Sequence, residues 1–300
     1  MRPAETPMPT APTSPAFDHR LHAIREDLAD SALRDKVDAP RYAEGREGHV
    51  IAGLAPVRRA PRGDAPVDTY YHFGEPVRVF DEAAGFAWCQ SRRDRYVGYV
   101  AAAALQPGEP PQPTHYVAGR GAYRYAEPDL RAPAVDFLPR HAPVSAAQQG
   151  LECRGTRYMA LAGGGFMPEG CVATAPPQSR DLAAAASLYL GCPYLWGGRS
   201  ALGIDCSGLV QEAFRDLGRT VPRDADLQAT TIGKPVAAAD PAALRRNDLV
   251  FMPGHVMICA GRGRVIHAYG GDMSVRRDRL ADLLRGWGRV LAELAVRRPG

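Results

Sequence analysis

The sequence has almost no lysine and no dense block of basic residues. Only Lys36 and Lys234 are lysines, and the other cations are arginines spread over the 300-residue chain. The formal net charge is only +4, and no aromatic stripe alternates with the arginines. Because nucleic-acid-binding surfaces need clustered cations, the composition argues against a nucleic acid partner.

Long apolar runs are also missing. The longest, Leu182 to Leu190, is interrupted by Ser187 and is about half the length of a membrane-spanning helix. Proline and threonine stand where a signal peptide would have its apolar segment. We therefore expect no membrane partner and a cytoplasmic location.

None of the six cysteines forms a CxxC pair or has a metal-ligand spacing to histidine. A zinc site is therefore not expected, and a reducing compartment would leave the cysteines without disulfides. No cofactor or metal is predicted. With 45% apolar and 23% charged residues, the composition is that of a folded chain with room for more than one domain.

Glycine and proline, by contrast, are plentiful, with 31 and 27 residues. They separate short alternating runs between about residues 50 and 105, which predicts a small β-barrel. Pro76-Val77 recurs 67 residues later as Pro143-Val144, and Gly98-Tyr99 recurs as Gly165-Phe166. These matches suggest a second barrel, although two matches in such a chain leave coincidence open. Before the barrels, a Pro-rich tail and an amphipathic helix within Asp18–Val37 are expected.

The last part of the chain has a different pattern. Helices are predicted over Asp181–Leu190 and Cys206–Leu217, the second ending at Gly218. Strands are predicted in the runs DLVFM, HVMICA and RVIHAY that follow. This order predicts an α+β domain with its helices on one side of an antiparallel sheet.

Cys206 lies in the first turn of the second predicted helix, with Asp205 as the expected N-cap. A helix N-terminus favours a thiolate and lowers the pKa of a cysteine from about 8.5 towards roughly 3.5 to 7.5. Taken alone, Cys206 fits better as a small buried apolar residue, which is the common role of free cysteines.

A cysteine nucleophile needs a base and a group that orients the base. His255 and His267 begin and end a predicted hairpin whose expected turn is Gly261-Arg262-Gly263. A turn of odd length places both imidazoles on one face of the sheet. Either histidine alone could be an ordinary sheet residue, but both together with Cys206 suggest a catalytic set.

Other residues near the cysteine are open to two interpretations. Tyr194 could offer a hydroxyl near the nucleophile or pack in the core. Arg223 and Asp224 are expected to form a structural ion pair.

The runs YLWGGRSALGIDCSGLVQEAF, VPRDADLQ, NDLVFMPGHVMICAG and VIHAY resemble the NlpC-type cysteine peptidases of bacterial cell-wall metabolism. The resemblance covers essentially residues 181 to 300 and implies a papain-like α+β fold. It implies that Cys206 is the nucleophile, His255 the base and His267 the orienting residue. The family typically cuts between D-γ-glutamyl and diaminopimelate or lysine in peptidoglycan stem peptides. Ala225 departs from the serine of many relatives.

The runs FGEPVRV and RYVGYV resemble the SH3-like barrels of a cytosolic dipeptidyl-peptidase subgroup of that family. In this subgroup a barrel side chain and a carboxylate cap the free amine of L-Ala in the substrate. The resemblance maps these roles to Glu75 and Tyr96, with Asp205 also able to reach the amine. Tyr194 and Ser207 complete the expected substrate-binding residues. Glu75 and Tyr96 could instead be an exposed turn charge and a core aromatic.

The predicted domains are a tail and helix over 1–37, SH3-like barrels over 38–110 and 111–178, and a papain-like catalytic domain over 179–300. The predicted function is hydrolysis of the γ-D-glutamyl bond in murein stem peptides with a free L-Ala, in cell-wall peptide recycling. Two alternatives remain: an envelope endopeptidase acting on intact peptidoglycan, and a non-catalytic binding protein with SH3-like modules.

Overall fold

The computed structural model describes residues 17–238 and 240–300. The Pro-rich tail predicted for the first residues of the chain lies outside this range. No helix within the described ranges is long and apolar enough to cross a membrane.

The predicted helix within Asp18–Val37 is wrong. This N-terminal arm contains turns, a 3₁₀ helix at Ser31–Leu33, and a strand, β1 (Ala29–Asp30), that pairs in parallel with β2 (Tyr42–Ala43). Ala23 and Leu28 of this arm are buried against Phe80 and Trp88 of the following sheet. Packing on that sheet, which the helical spacing cannot report, determines the conformation of the arm.

The first β unit is a seven-stranded antiparallel sheet with the order β5-β4-β8-β7-β6-β3-β9. Its apolar positions alternate with polar ones and enclose a core that includes Val57, Tyr71 and Val100. Its strands are β3 (Arg46–Val50), β4 (Leu54–Arg58), β5 (Val67–His72), β6 (Pro76–Ala83), β7 (Phe86–Ser91), β8 (Val97–Ala101) and β9 (Leu105–Pro107).

The second β unit divides its strands between a five-stranded and a three-stranded sheet. The strands are β10 (His115–Val117), β11 (Gly121–Tyr125), β12 (Ala134–Pro139), β13 (Pro143–Val144), β14 (Ala146–Cys153), β15 (Thr156–Leu161), β16 (Phe166–Pro168) and β17 (Val172–Ala173).

The two β units repeat with the 67-residue offset suggested by the sequence. Strands β4 and β5 recur as β11 and β12 with every boundary shifted by 67 residues. The irregularity between Val57 and Arg58 recurs between Arg124 and Tyr125. Two dipeptide matches alone are weak evidence of a repeat. The shared strand order and the shared bulge support a duplication of the β unit.

The C-terminal unit is built on a six-stranded antiparallel sheet with the order β20-β25-β21-β22-β23-β24. Its elements are α1 (Leu182–Ser187), β18 (Arg199–Ser200), β19 (Gly203–Ile204), α2 (Cys206–Arg215), α3 (Ala225–Thr231), β20 (Lys234–Pro235), β21 (Leu249–Met252), β22 (His255–Gly261), β23 (Arg264–Tyr269), β24 (Ser274–Arg279), α4 (Leu280–Trp287) and β25 (Ala295–Arg298).

Helices cover both faces of this sheet, which corrects the prediction of a single covered face. Helices α1 and α2 pack with Leu249, Ile258 and Ile266. Helix α4 packs on the other face, with Val250 and Met257. Alternate strand residues point to opposite faces, so each face has its own apolar set.

The hairpin β22–β23 has a two-residue turn, Arg262-Gly263, rather than the expected three. Both turn residues have positive φ, 53° and 67°, as tight hairpin turns require. A bulge between Cys259 and Gly261 adds one residue to β22. His255 and His267 therefore share a face, as predicted, but the bulge rather than an odd turn is the reason.

Candidate active site

Cys206 is the first residue of α2 and is buried, with 7% of its surface exposed. The Asp205 carboxylate caps the helix by accepting a hydrogen bond from the backbone N–H of Gly208 at 2.7 Å. The residues flanking His255 contact the sulfur: the Val256 backbone donates to it, and its thiol points to the Gly254 carbonyl at 4.0 Å. The fold therefore brings the start of β22 to the N-terminus of α2.

Burial and, less strongly, the neighbouring Asp205 carboxylate raise the pKa of the Cys206 thiol to about 12. The backbone N–H groups of Val256 and Ser207 lower this pKa but do not outweigh burial. The expected lowering by the helix N-terminus is therefore reversed. The resting cysteine is a neutral thiol, and a base must take its proton before it can attack a substrate.

The two histidines form the centre of a hydrogen-bonded chain. Nε2 of His255 lies 2.8 Å from Nδ1 of His267, and Nε2 of His267 lies 3.0 Å from Oδ2 of Asp278. Asp278 is a member that sequence reasoning missed. It lies on β24, where its backbone pairs with Val265 rather than with His267, so only the sheet register reveals its position.

Burial is the main influence on the charge states of the two histidines in this hydrogen-bonded chain. Burial and, less strongly, the neighbouring His267 lower the pKa of His255 to about 3. Burial also lowers the pKa of His267, although Asp278 opposes this effect. Burial raises the pKa of Asp278, but hydrogen bonds from Arg276 and His267 outweigh it and leave the pKa below its usual value. Both imidazoles are therefore neutral beside an ionised carboxylate at neutral pH.

Tyr269 and Trp287 enclose the two imidazoles. The ring of His267 stacks on Tyr269 with 5.4 Å between centroids, and Trp287 from α4 stands edge-on to His255 at 6.1 Å. The Trp287 indole N–H donates to the Tyr269 hydroxyl at 3.4 Å. These aromatic residues restrict rotation of the imidazoles and keep water from them.

Tyr194 is half-buried and lies close to the nucleophile. Burial raises the pKa of its hydroxyl, and Cys206 and Asp205 raise it further. The following glycine pair serves the protein backbone rather than a ligand. A Cβ on Gly198 would lie 2.4 Å from the carbonyl oxygen of Gly203, so only glycine fits there.

Asp205 and Ser207 are held by a buried guanidinium. Arg223 donates to the Asp205 carboxylate at 2.6 Å, to the Ser207 hydroxyl at 2.7 Å and to the Thr69 hydroxyl of the first β unit at 2.8 Å. Arg223 thus pairs with Asp205 and not, as expected, with Asp224. The arginine fastens the helix N-terminus to the β unit.

The acceptor sites of Asp205 are fully used. Besides Arg223 and Gly208, it accepts from the Gly197 backbone at 2.8 Å and from the Ser207 hydroxyl at 3.3 Å. A carboxylate offers about four acceptor positions. Its role is to cap and brace α2, which leaves it no free lone pair for the amine of a substrate.

Tyr96 reaches the catalytic unit from the first β unit. Its hydroxyl donates to Oδ2 of Asp224 at 3.3 Å, and Arg20 of the N-terminal arm donates to the same oxygen at 2.8 Å. Burial raises the pKa of Tyr96, and Asp224 and Asp68 raise it further. Burial also raises the pKa of Asp224, while Arg223 and Arg20 lower it. A cluster with several carboxylates thus lies where the β unit meets α3.

Glu75 is not in this cluster, and its predicted role in binding an amine is not supported. Only 4% of its surface is exposed, and its carboxylate accepts from the Ser91 hydroxyl at 2.6 Å and faces Arg93 and Arg199. Both guanidiniums also pair with Glu212, six residues along α2 from Cys206. Glu75 therefore belongs to a buried ionic network between the two units. This network meets α2 at Glu212, about 9 Å along the helix from Cys206.

No group of His, Cys, Asp and Glu side chains within residues 17–238 and 240–300 is arranged to hold a metal ion. All six cysteines are free thiols, so the Cys206 sulfur is not held in a disulfide.

Two segments match known protein families. Residues 191–283 match the NlpC/P60 family, and residues 57–105 match the family described as bacterial dipeptidyl-peptidase Sh3 domain. The predicted resemblance of the C-terminal unit to NlpC-type peptidases, and of the first β unit to bacterial SH3-like barrels, is therefore confirmed.

Curated relatives align with about a third of this chain. A gamma-D-glutamyl-L-lysine dipeptidyl-peptidase of Bacillus cereus is 33% identical over 107 residues, which are 33% of this chain and 31% of that protein. Dipeptidyl-peptidase 6 of Lysinibacillus sphaericus is 38% identical over 31% of this chain and 33% of its own length. A probable endopeptidase of Corynebacterium glutamicum is 38% identical over 34% of this chain and 48% of its length. The chain therefore spans about a third to a half of the length of these relatives.

Solved structures share the fold over most of the chain. An NlpC/P60 family protein from Bacillus cereus has a TM-score of 0.67 at 20% identity, covering 84% of this chain and 99% of that one. An NlpC/P60 endopeptidase from Photobacterium damselae has a TM-score of 0.51 at 15% identity, covering 84% of this chain and 70% of its own. The predicted α+β fold with an SH3 domain before an NlpC-type domain is confirmed.

Proposed function

We propose that the chain is a cysteine peptidase that removes L-Ala-γ-D-Glu from murein stem peptides. It cleaves the bond between D-γ-glutamyl and diaminopimelate or lysine. Cys206 is the nucleophile, His255 the base and His267 the residue that orients the base. The hydrogen bond between the two histidines and the contact of the sulfur with both neighbours of His255 support these roles.

In the proposed reaction, His255 takes the thiol proton of Cys206 as the sulfur attacks the γ-glutamyl carbonyl. The amine of the diamino acid then leaves with that proton, and a thioester remains on Cys206. Water hydrolyses the thioester and releases the dipeptide. Because the resting thiol is neutral, proton transfer to His255 has to accompany the attack.

The contact between Tyr96 and Asp224 carries the proposed specificity. It joins the first β unit to the catalytic unit at the first residue after Arg223, which itself holds the cap of α2. Among the described residues, both hydrogen bonds to the Asp224 carboxylate end on Oδ2. Oδ1 is thus available to accept from the ammonium of L-Ala, and Asp224 takes the role that the sequence had suggested for Glu75.

The surrounding charges favour a cation. Asp68 and Asp226 lie near Asp224, and their partners Arg59 and Arg20 only partly balance the carboxylates. Because the Asp224 carboxylate is partly buried, water screens its charge less and it attracts an ammonium more strongly than an exposed carboxylate does. The name of the Bacillus cereus relative, a gamma-D-glutamyl-L-lysine dipeptidyl-peptidase, agrees with a substrate that has a free N-terminus.

A free L-Ala amine exists on a stem peptide only after the peptide has been detached from muramic acid. The proposed enzyme therefore acts after an amidase-type reaction, on released peptides, in cell-wall peptide recycling. We include a cytoplasmic location in this proposal.

An endopeptidase acting on intact peptidoglycan is the second candidate. The 38% identity with the probable endopeptidase of Corynebacterium glutamicum favours it. The two candidates differ in whether the substrate must carry a free amine.

The test compares L-Ala-γ-D-Glu-diaminopimelate with its N-acetylated form by mass spectrometry. We expect acetylation to lower kcat/KM by at least about 100-fold, since an ammonium–carboxylate contact of a few kcal/mol is lost. Tyr96→Phe and Asp224→Asn should reduce the ratio of kcat/KM between the free and the acetylated peptide. Tyr99→Phe, three residues further along on β8 and bonded to Arg25, is the matched control and should leave the ratio unchanged. Equal cleavage of both peptides would contradict the dipeptidyl-peptidase proposal and favour the endopeptidase.

A further inference from the structure

Asp278 is the last side chain in the hydrogen-bonded series that runs from His255 through His267. The proposed reaction does not use it. We infer that Asp278 is a positioning residue that sets the tautomers of both histidines and leaves Nδ1 of His255 without a proton, as the only base nitrogen. As a statement about catalysis, this inference rests on the proposed cysteine-peptidase function.

The protonation states follow from the hydrogen bonds outward from the carboxylate. An ionised carboxylate only accepts, so Nε2 of His267, 3.0 Å from Asp278, carries the proton. A neutral imidazole has one N–H, so Nδ1 of His267 is an acceptor. Nε2 of His255, 2.8 Å away, must then donate to it. Nδ1 of His255 is left with its lone pair, and no other nitrogen of the pair remains to take a proton from a thiol.

The structure restricts other ways to satisfy these hydrogen bonds. His267 has no exposed surface, and Tyr269 stacks on its ring, so the imidazole has little room to turn over. Adding a second proton is unfavourable, because burial lowers the pKa of both histidines. The Asp278 carboxylate therefore acts by determining which ring nitrogen of each histidine carries the proton.

Asp278 is itself held in place. Arg276 donates to both carboxylate oxygens, from Nε at 2.5 Å and from Nη2 at 2.8 Å, and also pairs with Asp272. A two-pronged guanidinium fixes the carboxylate plane and keeps the carboxylate ionised. Arg276 and Asp278 lie on β24, the edge strand beside the strand that carries His267.

Replacement of Asp278 by asparagine should be more harmful than replacement by alanine. A side-chain amide at this position would be able to donate to Nε2 of His267, which would move the His267 proton to Nδ1. His255 would then accept at Nε2 and carry its proton on Nδ1, where it cannot act as the base. Alanine removes the acceptor without imposing the wrong tautomer.

The direct test is the tautomer of each histidine, measured by long-range ¹H–¹⁵N NMR on histidine-labelled full-length protein at neutral pH. His255→Gln and His267→Gln variants assign the two signals among the eight histidines. We expect protons on Nε2 of both rings in the wild type and on Nδ1 of both rings in Asp278→Asn. Asp282→Asn, an exposed carboxylate on α4 paired with Arg285, is the matched control and should leave both tautomers unchanged.

Steady-state kinetics on the tripeptide give the second readout. We expect Asp278→Asn to lower kcat by roughly 100- to 10,000-fold with little change in KM, as for a wrong tautomer in a catalytic triad, and Asp278→Ala to lower kcat less. Unchanged tautomers in Asp278→Asn, or a smaller kcat in Asp278→Ala than in Asp278→Asn, would overturn the inference. If the wild type cleaves no stem peptide, the proposed function fails, while the NMR result still decides the tautomer assignment. Thermal unfolding checks that each variant is folded.

Discussion

Arg223 and Asp205 form a buried ion pair of 2.6 Å that joins the first β unit to the N-terminus of the helix carrying Cys206. Arg223 also donates to Thr69 of the β unit, and Asp205 also caps α2. A single interaction thus fixes both the position of the nucleophile and the docking of the neighbouring unit.

Asp205→Asn should strongly destabilise the protein, because it leaves the Arg223 guanidinium buried without a charged partner. Removing one member of a buried pair costs about 3 to 5 kcal/mol. Urea unfolding at neutral pH measures the loss. Asp64→Asn, which removes an exposed pair with Arg62, is the control and should cost less than about 1 kcal/mol. A loss of similar size in both variants would contradict the bracing role of Asp205.

Cys206→Ala should abolish hydrolysis while leaving the protein folded, since the thiol is the attacking group and the side chain is small. Peptide cleavage is followed by mass spectrometry and folding by thermal unfolding. Cys192→Ala removes another buried thiol of the same core and should retain activity. Residual turnover in the Cys206→Ala variant would show that Cys206 is not the nucleophile.

The free energy of unfolding should fall as the pH drops below about 6.5, partly because of His255. Its pKa is about 3 in the folded protein against 6.5 as the ordinary value, so the unfolded chain binds the extra proton between these values. This contribution is present above pH 6.5 and is lost towards pH 3. It amounts to about 1.4 kcal/mol per pH unit, or about 2 kcal/mol between pH 6.5 and 5.

His255→Gln should therefore lose about 2 kcal/mol less stability than the wild type between pH 7 and 5, as measured by urea unfolding. His115→Gln, a half-buried histidine on β10, is the control. If the acid sensitivity of His255→Gln equals that of the wild type, the proton uptake belongs to other groups.

Arg20→Ala should lower the KM for a peptide with a free amine and leave kcat unchanged. The Arg20 guanidinium on Oδ2 balances part of the negative charge of the carboxylate that we assign to the substrate ammonium, so its removal leaves more of that charge for the ammonium. Because Arg20 is partly exposed, the effect should be only about two- to fivefold, the size expected of a surface ion pair. An increased KM would mean that Arg20 is needed to hold Asp224 in place.

The sequence alone determined the features that depend on local patterning. The N-cap, the helix that begins at Cys206 and the three following strands came from capping and periodicity, which act over a few residues. The 67-residue repeat came from self-similarity. The shared face of His255 and His267 was predicted correctly, although a bulge rather than the turn length produces it.

Only the tertiary structure decided which distant groups meet. It placed Glu75 in a buried ionic network, brought Arg20 and Tyr96 to the Asp224 carboxylate, and placed Asp278 beside His267. It also set the charge states, because desolvation of Cys206 and His255 depends on what the rest of the chain packs around them. Sequence spacing reports neighbours along an element, whereas burial and sheet register depend on contacts between residues far apart in the chain.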